Sequence, residues 1–233
     1  MNPRASFVIP AFNAQAWIAE TIASCADQSI KQIEIVVVND GSTDHTQEIV
    51  EAYAKREPRL VFIDLKENVG RSEARNVGNA RASGDIICVL DSDDKATRNR
   101  IKDTLACFSL KNPDLVYGGF VTMDTFGNLD KRYIPEPFSR EISIKHKTHY
   151  ICHSSLAYRK GVSRNIKYAS GDFSRLGIDD WKFIWDCHLK GYKFAYIKTP
   201  LCFYRNVDGT ISFTRNTEEV AKTKDAYLEK VLV

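Results

Sequence analysis

The sequence predicts an α/β fold with three layers, helices covering both faces of a mainly parallel central sheet. Short apolar, β-branched runs alternate with segments of helical period through the first half of the chain. The connections between them are short, as right-handed strand–helix–strand crossovers allow. The runs Ile35-Val36-Val37-Val38 and Ile86-Ile87-Cys88-Val89-Leu90 are continuously apolar, the mark of strands buried on both faces.

Ser6-Phe7-Val8-Ile9 reads as the first strand, ended by Pro10, and a helix follows from Asn13, its expected N-cap, to about Asp27. Glu34 to Val38 is the second strand. Asn39 to Asp44 is a turn, and a helix runs from about Thr43 to Arg56. Leu60 to Ile63 is the third strand, Lys66 to Gly70 a loop, and Ser72 to Ala82 a helix. The strand Ile86 to Leu90 then ends in Asp91-Ser92-Asp93-Asp94, before a helix from about Thr97 to Leu110. The second half is less regular. Strands are expected at Asp114 to Tyr117, Ile151 to Tyr158, Tyr192 to Ile197 and Leu201 to Arg205. Thr125 to Asn128 suggests a hairpin turn, and Ile134 to Lys147, with Pro135 and Pro137, a crossing loop. Helices are expected at Asp179 to Lys190, stopped by Gly191, and at Thr217 to Leu232.

With 233 residues, 43% hydrophobic and 27% charged, the chain suits one large soluble domain with an extensive core. A net charge of +3 gives no footprint for nucleic acid. The six cysteines form no C-x-x-C pair and several sit in apolar runs, so they read as small hydrophobes of a reducing compartment. Met1 to Ala14 lacks the apolar core of a secretory signal, and no apolar run approaches the roughly 18 residues of a membrane span. The expectation is a cytoplasmic protein, with peripheral contact at the cytoplasmic membrane face left open.

In an open α/β sheet, ligands sit beyond the carboxyl ends of the strands. Asp91, Asp93 and Asp94 fall at such an end. Clustered carboxylates stay ionised only with compensating positive charge, which a hard divalent cation supplies. The other reading of these residues alone is an acidic turn or helix cap. No G-x-G-x-x-G follows the first strand and no G-K-[ST] occurs, so a nucleotide site here is acidic and metal-bridged rather than a glycine cradle. His146, His149, Cys152 and His153 have a loosely zinc-like spacing, but no second cluster pairs with them. Arg159, Lys160, Arg164 and Lys167 form a basic patch, read as a solvated face or an approach to anionic lipid.

Taken in order, several of these pieces resemble family 2 glycosyltransferases of the GT-A fold. They are Val8-Ile9-Pro10-Ala11-Phe12-Asn13, Glu34 to Asp44, Glu67-Asn68-Val69-Gly70 with Ala74-Arg75-Asn76-Val77-Gly78, and Leu90-Asp91-Ser92-Asp93-Asp94. Each is weak alone; the run of them in this order is specific. It covers about the first hundred residues. A looser likeness continues in Gly177-Ile178-Asp179-Asp180-Trp181 and Leu201-Cys202-Phe203-Tyr204-Arg205.

The resemblance implies inverting transfer of a hexosyl or N-acetylhexosaminyl group from a nucleotide-sugar, a UDP-sugar in particular, to an acceptor hydroxyl in polysaccharide or glycolipid assembly. It implies a nucleotide-sugar-binding half (1–112), an acceptor and catalytic half (113–215) and a C-terminal helix (216–233). Asp40 would accept from the uracil N3–H. Pro10, Ala11 and Asn13 would line base and ribose, and Asn68, Arg75, Asp91 and Ser92 the rest of the donor. Asp93 would bind Mg²⁺ or Mn²⁺, which offsets charge on the departing diphosphate. Asp180 would be the general base, with Asp179 standing where the family commonly has Glu. His153 and Arg205 would serve the acceptor side, Arg205 also as a carrier of phosphate charge. No late His follows Arg205, which leaves Asp208 or water to complete the metal's coordination. Two other functions compete: a non-catalytic sugar-nucleotide-binding protein of this fold, and a nucleotidyltransferase. The latter lacks the glycine-rich basic loop after the first strand that a triphosphate needs.

Overall fold

Strands β1 (Ala5–Ala11) and β2 (Ile33–Asp40) are buried along their whole length. Such strands need cover on both faces. The computed structural model, which describes residues 4–148, 150–206 and 217–232, shows that cover. Phe7, Ile9, Ile35 and Val37 pack with α1 (Ile18–Ala26), α2 (Thr46–Ala54) and α4 (Arg100–Lys111) on one side. Val8, Val36 and Val38 pack with α3 (Arg71–Arg81), α6 (Lys160–Asn165) and α8 (Asp179–Leu189) on the other. Gly78 lets α3 lie close: a Cβ there would stand 2.5 Å from Val8 Cγ1. A further cluster joins Trp181 and Trp185 of α8 to Leu228 of the C-terminal helix α9 (Thr217–Leu232).

The sheet runs β3-β2-β1-β4-β8-β6-β9-β5, with β3 (Leu60–Leu65), β4 (Ile86–Val89), β5 (Lys95–Ala96), β6 (Leu115–Met123), β8 (Ala157–Arg159) and β9 (Phe194–Arg205). The first four strands are parallel, β8 is antiparallel to both its neighbours, and β6 and β9 are parallel. A hairpin adds β7 (Leu129–Tyr133) to β6. The chain builds outward from β1 through β2 and β3, then returns to place β4 on β1's other side. That reversal opens a crevice beyond the carboxyl ends of β1 and β4, where Asn13 and Asp91 follow. The parallel-sheet, three-layer expectation holds, and no helix among the described residues is long and apolar enough to cross a membrane.

Several local expectations change. Asn13 does not cap the first helix, which starts at Ile18. Its φ is 49°, its N–H donates to Ser42 Oγ (3.0 Å), and its Oδ1 accepts from Thr43 N (2.9 Å), tying it to the β2–α2 loop. Asp94 starts no helix. It is buried before β5, and its Oδ1 accepts from Arg205 N. Of the stretch expected as strand from Ile151, His153–Ser155 is a 3₁₀ turn and only Ala157–Arg159 is strand. Ser154 Oγ accepts from Asp91 N and Ser155 Oγ donates to Cys152 O, so side chains take bonds a ladder would use. The loop expected after Ile134 contains helix α5 (Arg140–His146), capped by Ser139 Oγ accepting from Ile142 N. The two late strands are one, β9, with its register against β6 shifting beside Pro200. Arg159 is not simply solvated: it donates to Pro113 O and lies over the Phe108 ring.

Candidate active site

Two cavities flank one wall in the crevice. The first, of about 590 Å³, lies past the ends of β1, β2 and β4; the second, of about 490 Å³, lies between α8, the β6–β7 hairpin and the turn at His153. Arg71, Arg75, Asp91 and Tyr204 line both.

The wall is a chain of ion pairs. Arg71 and Arg75 sit one turn apart on α3 and so project from one face. Arg71 donates to Asp179 Oδ1 at 2.5 Å. Arg75 donates to Asp179 Oδ2 at 2.5 Å and to Asp91 Oδ1 at 2.7 Å, with its guanidinium over the Tyr168 ring. Asp179 is wholly buried. A buried carboxylate survives only with full pairing, which these two arginines give it.

Asp91 is fixed from three sides. Its backbone N–H donates to Ser154 Oγ (3.1 Å), Arg75 holds its carboxylate, and His153 Nδ1 lies 3.9 Å from Oδ1. His153 is oriented through its other nitrogen, 2.9 Å from Tyr168 Oη. Burial opposes ionisation of Asp91, but Arg75 and His153 outweigh it and hold the carboxyl well below the usual carboxylate range. Two residues on, the balance reverses. Burial and the charge of Asp91 push the Asp93 carboxyl up to about 6. Arg205, buried and spread over Asp93 O, Asp124 O, Thr125 O and Glu20, moderates that charge and holds the loop from beneath.

A metal at this point fits the donor set. The Asp93 carboxyl is met by the backbone N–H of its own residue, and among the described residues no group of three His, Cys, Asp or Glu converges to hold a metal ion. One hard carboxylate, made costly to ionise by a second beside it, suits Mg²⁺ or Mn²⁺ that take their remaining ligands from phosphate and water.

Pro10, Ala11, Asn13, Asp40, Asn68, Ser92 and Asp93 all line the first cavity. Asp40 is nearly fully buried, and its Oδ1 accepts from Val69 N (2.8 Å), which pins the loop carrying Asn68. Gly41, at φ 65°, makes this possible, because a Cβ there would meet Glu67 C at 2.6 Å. His153, Asp179 and Asp180 line the second cavity; Arg75 and Asp91 line both. Arg205 lines the first cavity, not the second. Asp180 follows Asp179 at the start of α8, and its Oδ1 accepts from Trp181 N at 2.7 Å. His146 is exposed on α5, Cys152 Sγ lies 3.8 Å from Cys202 Sγ, and His153 turns to Tyr168, so these three form no metal site; His149 and Asp208 lie outside the described residues. Sequence reasoning gave no role to Arg71 or Tyr204. The i, i+4 spacing of Arg71 and Arg75 was the available signal for the first; nothing local marks the second.

The model of the family described as Glycosyl transferase family 2 matches residues 6–167. The putative teichuronic acid biosynthesis glycosyltransferase TuaG of Bacillus subtilis is 33% identical over 138 residues, 59% of this chain. The match spans 55% of TuaG, about half that relative's length. The S. aureus TarS fragment 1–349, solved in complex with UDP-GlcNAc, superposes with a TM-score of 0.73 at 20% identity, covering 100% of this chain and 68% of that one. The mannosyltransferase PcManGT from Pyrobaculum calidifontis, solved with GDP-Man and Mn²⁺, gives 0.67 at 19% identity, covering 91% of this chain and 59% of that one. At these identities the structural likeness establishes a shared GT-A fold.

Proposed function

Since the chain belongs to glycosyl transferase family 2, we propose that it moves a sugar from a nucleotide-sugar to an acceptor hydroxyl, with inversion, in polysaccharide or glycolipid assembly. The observation that carries this reading is the meeting of two cavities at one charged wall. A donor in the first cavity and an acceptor in the second would face each other across Asp91 and Tyr204. That is the proximity that a two-substrate transfer needs.

In this reading Pro10, Ala11 and Asn13 enclose the nucleoside, and the remaining oxygen of Asp40 accepts from the base. Asn68, Arg75, Asp91 and Ser92 position the donor. Asp93 holds Mg²⁺ or Mn²⁺, which when bound offsets the charge developing on the diphosphate. PcManGT, of the same fold, is solved with Mn²⁺ and GDP-Man, and TarS with UDP-GlcNAc, which supports a nucleotide-sugar donor and a divalent metal here. Asp180 takes the proton as the acceptor oxygen bonds to the anomeric carbon, and the carbon–oxygen bond to the diphosphate breaks with its electron pair. Asp179 acts differently: both its oxygens are held by arginines, so it fixes Arg75 and the start of α8 and leaves the proton to its neighbour.

Turnover of a panel of UDP- and GDP-sugars, with Mn²⁺ and with chelator, tests the proposal. Metal-dependent release of nucleotide diphosphate with inverted product supports it. Metal-independent turnover removes the role given to Asp93, and binding without any turnover favours a non-catalytic sugar-nucleotide-binding protein.

A further inference from the structure

The second cavity carries an aromatic wall that the transfer chemistry does not require. Tyr204 stands where the two cavities meet, and Phe120 meets it edge-on, with ring centroids 5.9 Å apart at 66°. Tyr133 stacks on Phe120 at 4.6 Å and 9°. Tyr133 lines this cavity and is 43% exposed. Tyr150 also lines this cavity and is 60% exposed. Its φ is 52°, a conformation that bulky side chains avoid and that structures retain mainly where a site demands it. Beyond the shared wall, the cavity's polar lining includes Asp180, His153 and Glu136.

We infer that Tyr133 and Tyr150 form a slot for a pyranose ring, so that the acceptor is a saccharide held by its ring rather than a lipid phosphate held by its tail; this rests on the second cavity being the acceptor side. A pyranose has a face of C–H bonds and a rim of hydroxyls. The C–H face suits an aromatic face, whose π electrons are negative where the C–H bonds are positive. The rim suits carboxylate and imidazole. Tyr133 is already oriented by Phe120, so little side-chain entropy is lost when the ring docks. The wall runs from Tyr133 through Phe120 to Tyr204, where the two cavities meet, and so directs the acceptor's hydroxyl toward the donor. A cavity of about 490 Å³ lies within the range of small-molecule sites, roughly 300–1,000 Å³.

Saturation-transfer NMR on the whole chain, with UDP and diamagnetic Mg²⁺ present, tests this without relying on turnover. The probes are methyl α- and β-hexopyranosides, their N-acetylhexosamine counterparts, the corresponding disaccharides and a sugar-free isoprenyl phosphate. The expected result is saturation strongest on ring C–H protons of at least one pyranoside. Its affinity should fall about three- to tenfold in Tyr133→Leu and again in Tyr150→Leu, and return in Tyr133→Phe, which keeps the ring. Three results overturn the slot: no saturation of any pyranoside, equal affinity in wild type and both leucine variants, or binding of the isoprenyl phosphate alone. Transfer from nucleotide-sugar to water, measured on the same sample, separates the two failures. Turnover to water with no pyranoside binding removes the slot alone; pyranoside binding with no turnover of any donor removes the transfer reading alone.

Discussion

Asp179 and Asp180 are adjacent in sequence and opposite in surroundings. Both line the second cavity, but Asp179 is wholly buried between two guanidinium groups, while Asp180 is only half-buried. A second contrast separates Asp91 from Asp93. Asp91 is held ionised by Arg75 and His153 despite its burial, whereas burial and Asp91 push Asp93 up to about 6. The stability consequence for Asp93 has a definite sign. A carboxyl that binds its proton more tightly when folded destabilises the fold as pH rises from the ordinary carboxylate value through about 6, and the penalty is complete above that. Asp93→Asn should therefore stabilise the metal-free chain by about 1–3 kcal/mol at pH 8, with the gain fading toward pH 4. Urea unfolding in chelator at the two pH values measures it. The same variant should lose metal-dependent turnover, so stability and activity move in opposite directions.

At the scale of elements, α3 clamps the site. It lies against the sheet through Gly78 and projects Arg71 and Arg75 toward α8. Gly78→Ala would drive a methyl into Val8 and should cost about 1–3 kcal/mol in denaturant unfolding. Arg75→Met leaves Asp179 and Asp91 short of a partner and should cost about 3–5 kcal/mol; adding Asp179→Asn should recover part of it. These elements also show what the sequence reveals. The strands β1, β2 and β4 are legible because burial on both faces leaves continuous apolar runs, and the acidic and Asn-Asp-Gly loops between strands mark their own turns. The predicted first-cavity residues other than Arg75 are legible for the same reason, since they lie at or just past strand ends. The second half is less so. Ser154 and Ser155 replace ladder bonds with side-chain bonds, Pro200 sits at a register shift that joins two apparent strands, and Ser139 starts a helix among charges. The arginine clamp on Asp179 joins residues about a hundred positions apart, and no local pattern records such a contact.

Across the whole molecule, one sheet carries both cavities, and a ligand in the first should be felt by the fold as a unit. Nucleotide with metal at a hundredfold excess over its dissociation constant should stabilise by about 2.7 kcal/mol, near 5–10 °C for a chain of this size. UDP and Mn²⁺ together should raise Tm by that amount in a thermal melt, UDP with chelator by less, and Asp93→Asn should remove the difference. In the proposed reaction, donor binding and proton abstraction reside on opposite sides of the Arg71–Arg75–Asp91 wall. The most direct test compares Asp180→Asn with wild type, measuring nucleotide affinity by calorimetry and transfer by turnover on the same preparation. Transfer should fall by at least about a hundredfold while the affinity for UDP with Mn²⁺ stays within about twofold. Near-normal turnover in Asp180→Asn, or a parallel loss of nucleotide binding, would contradict it.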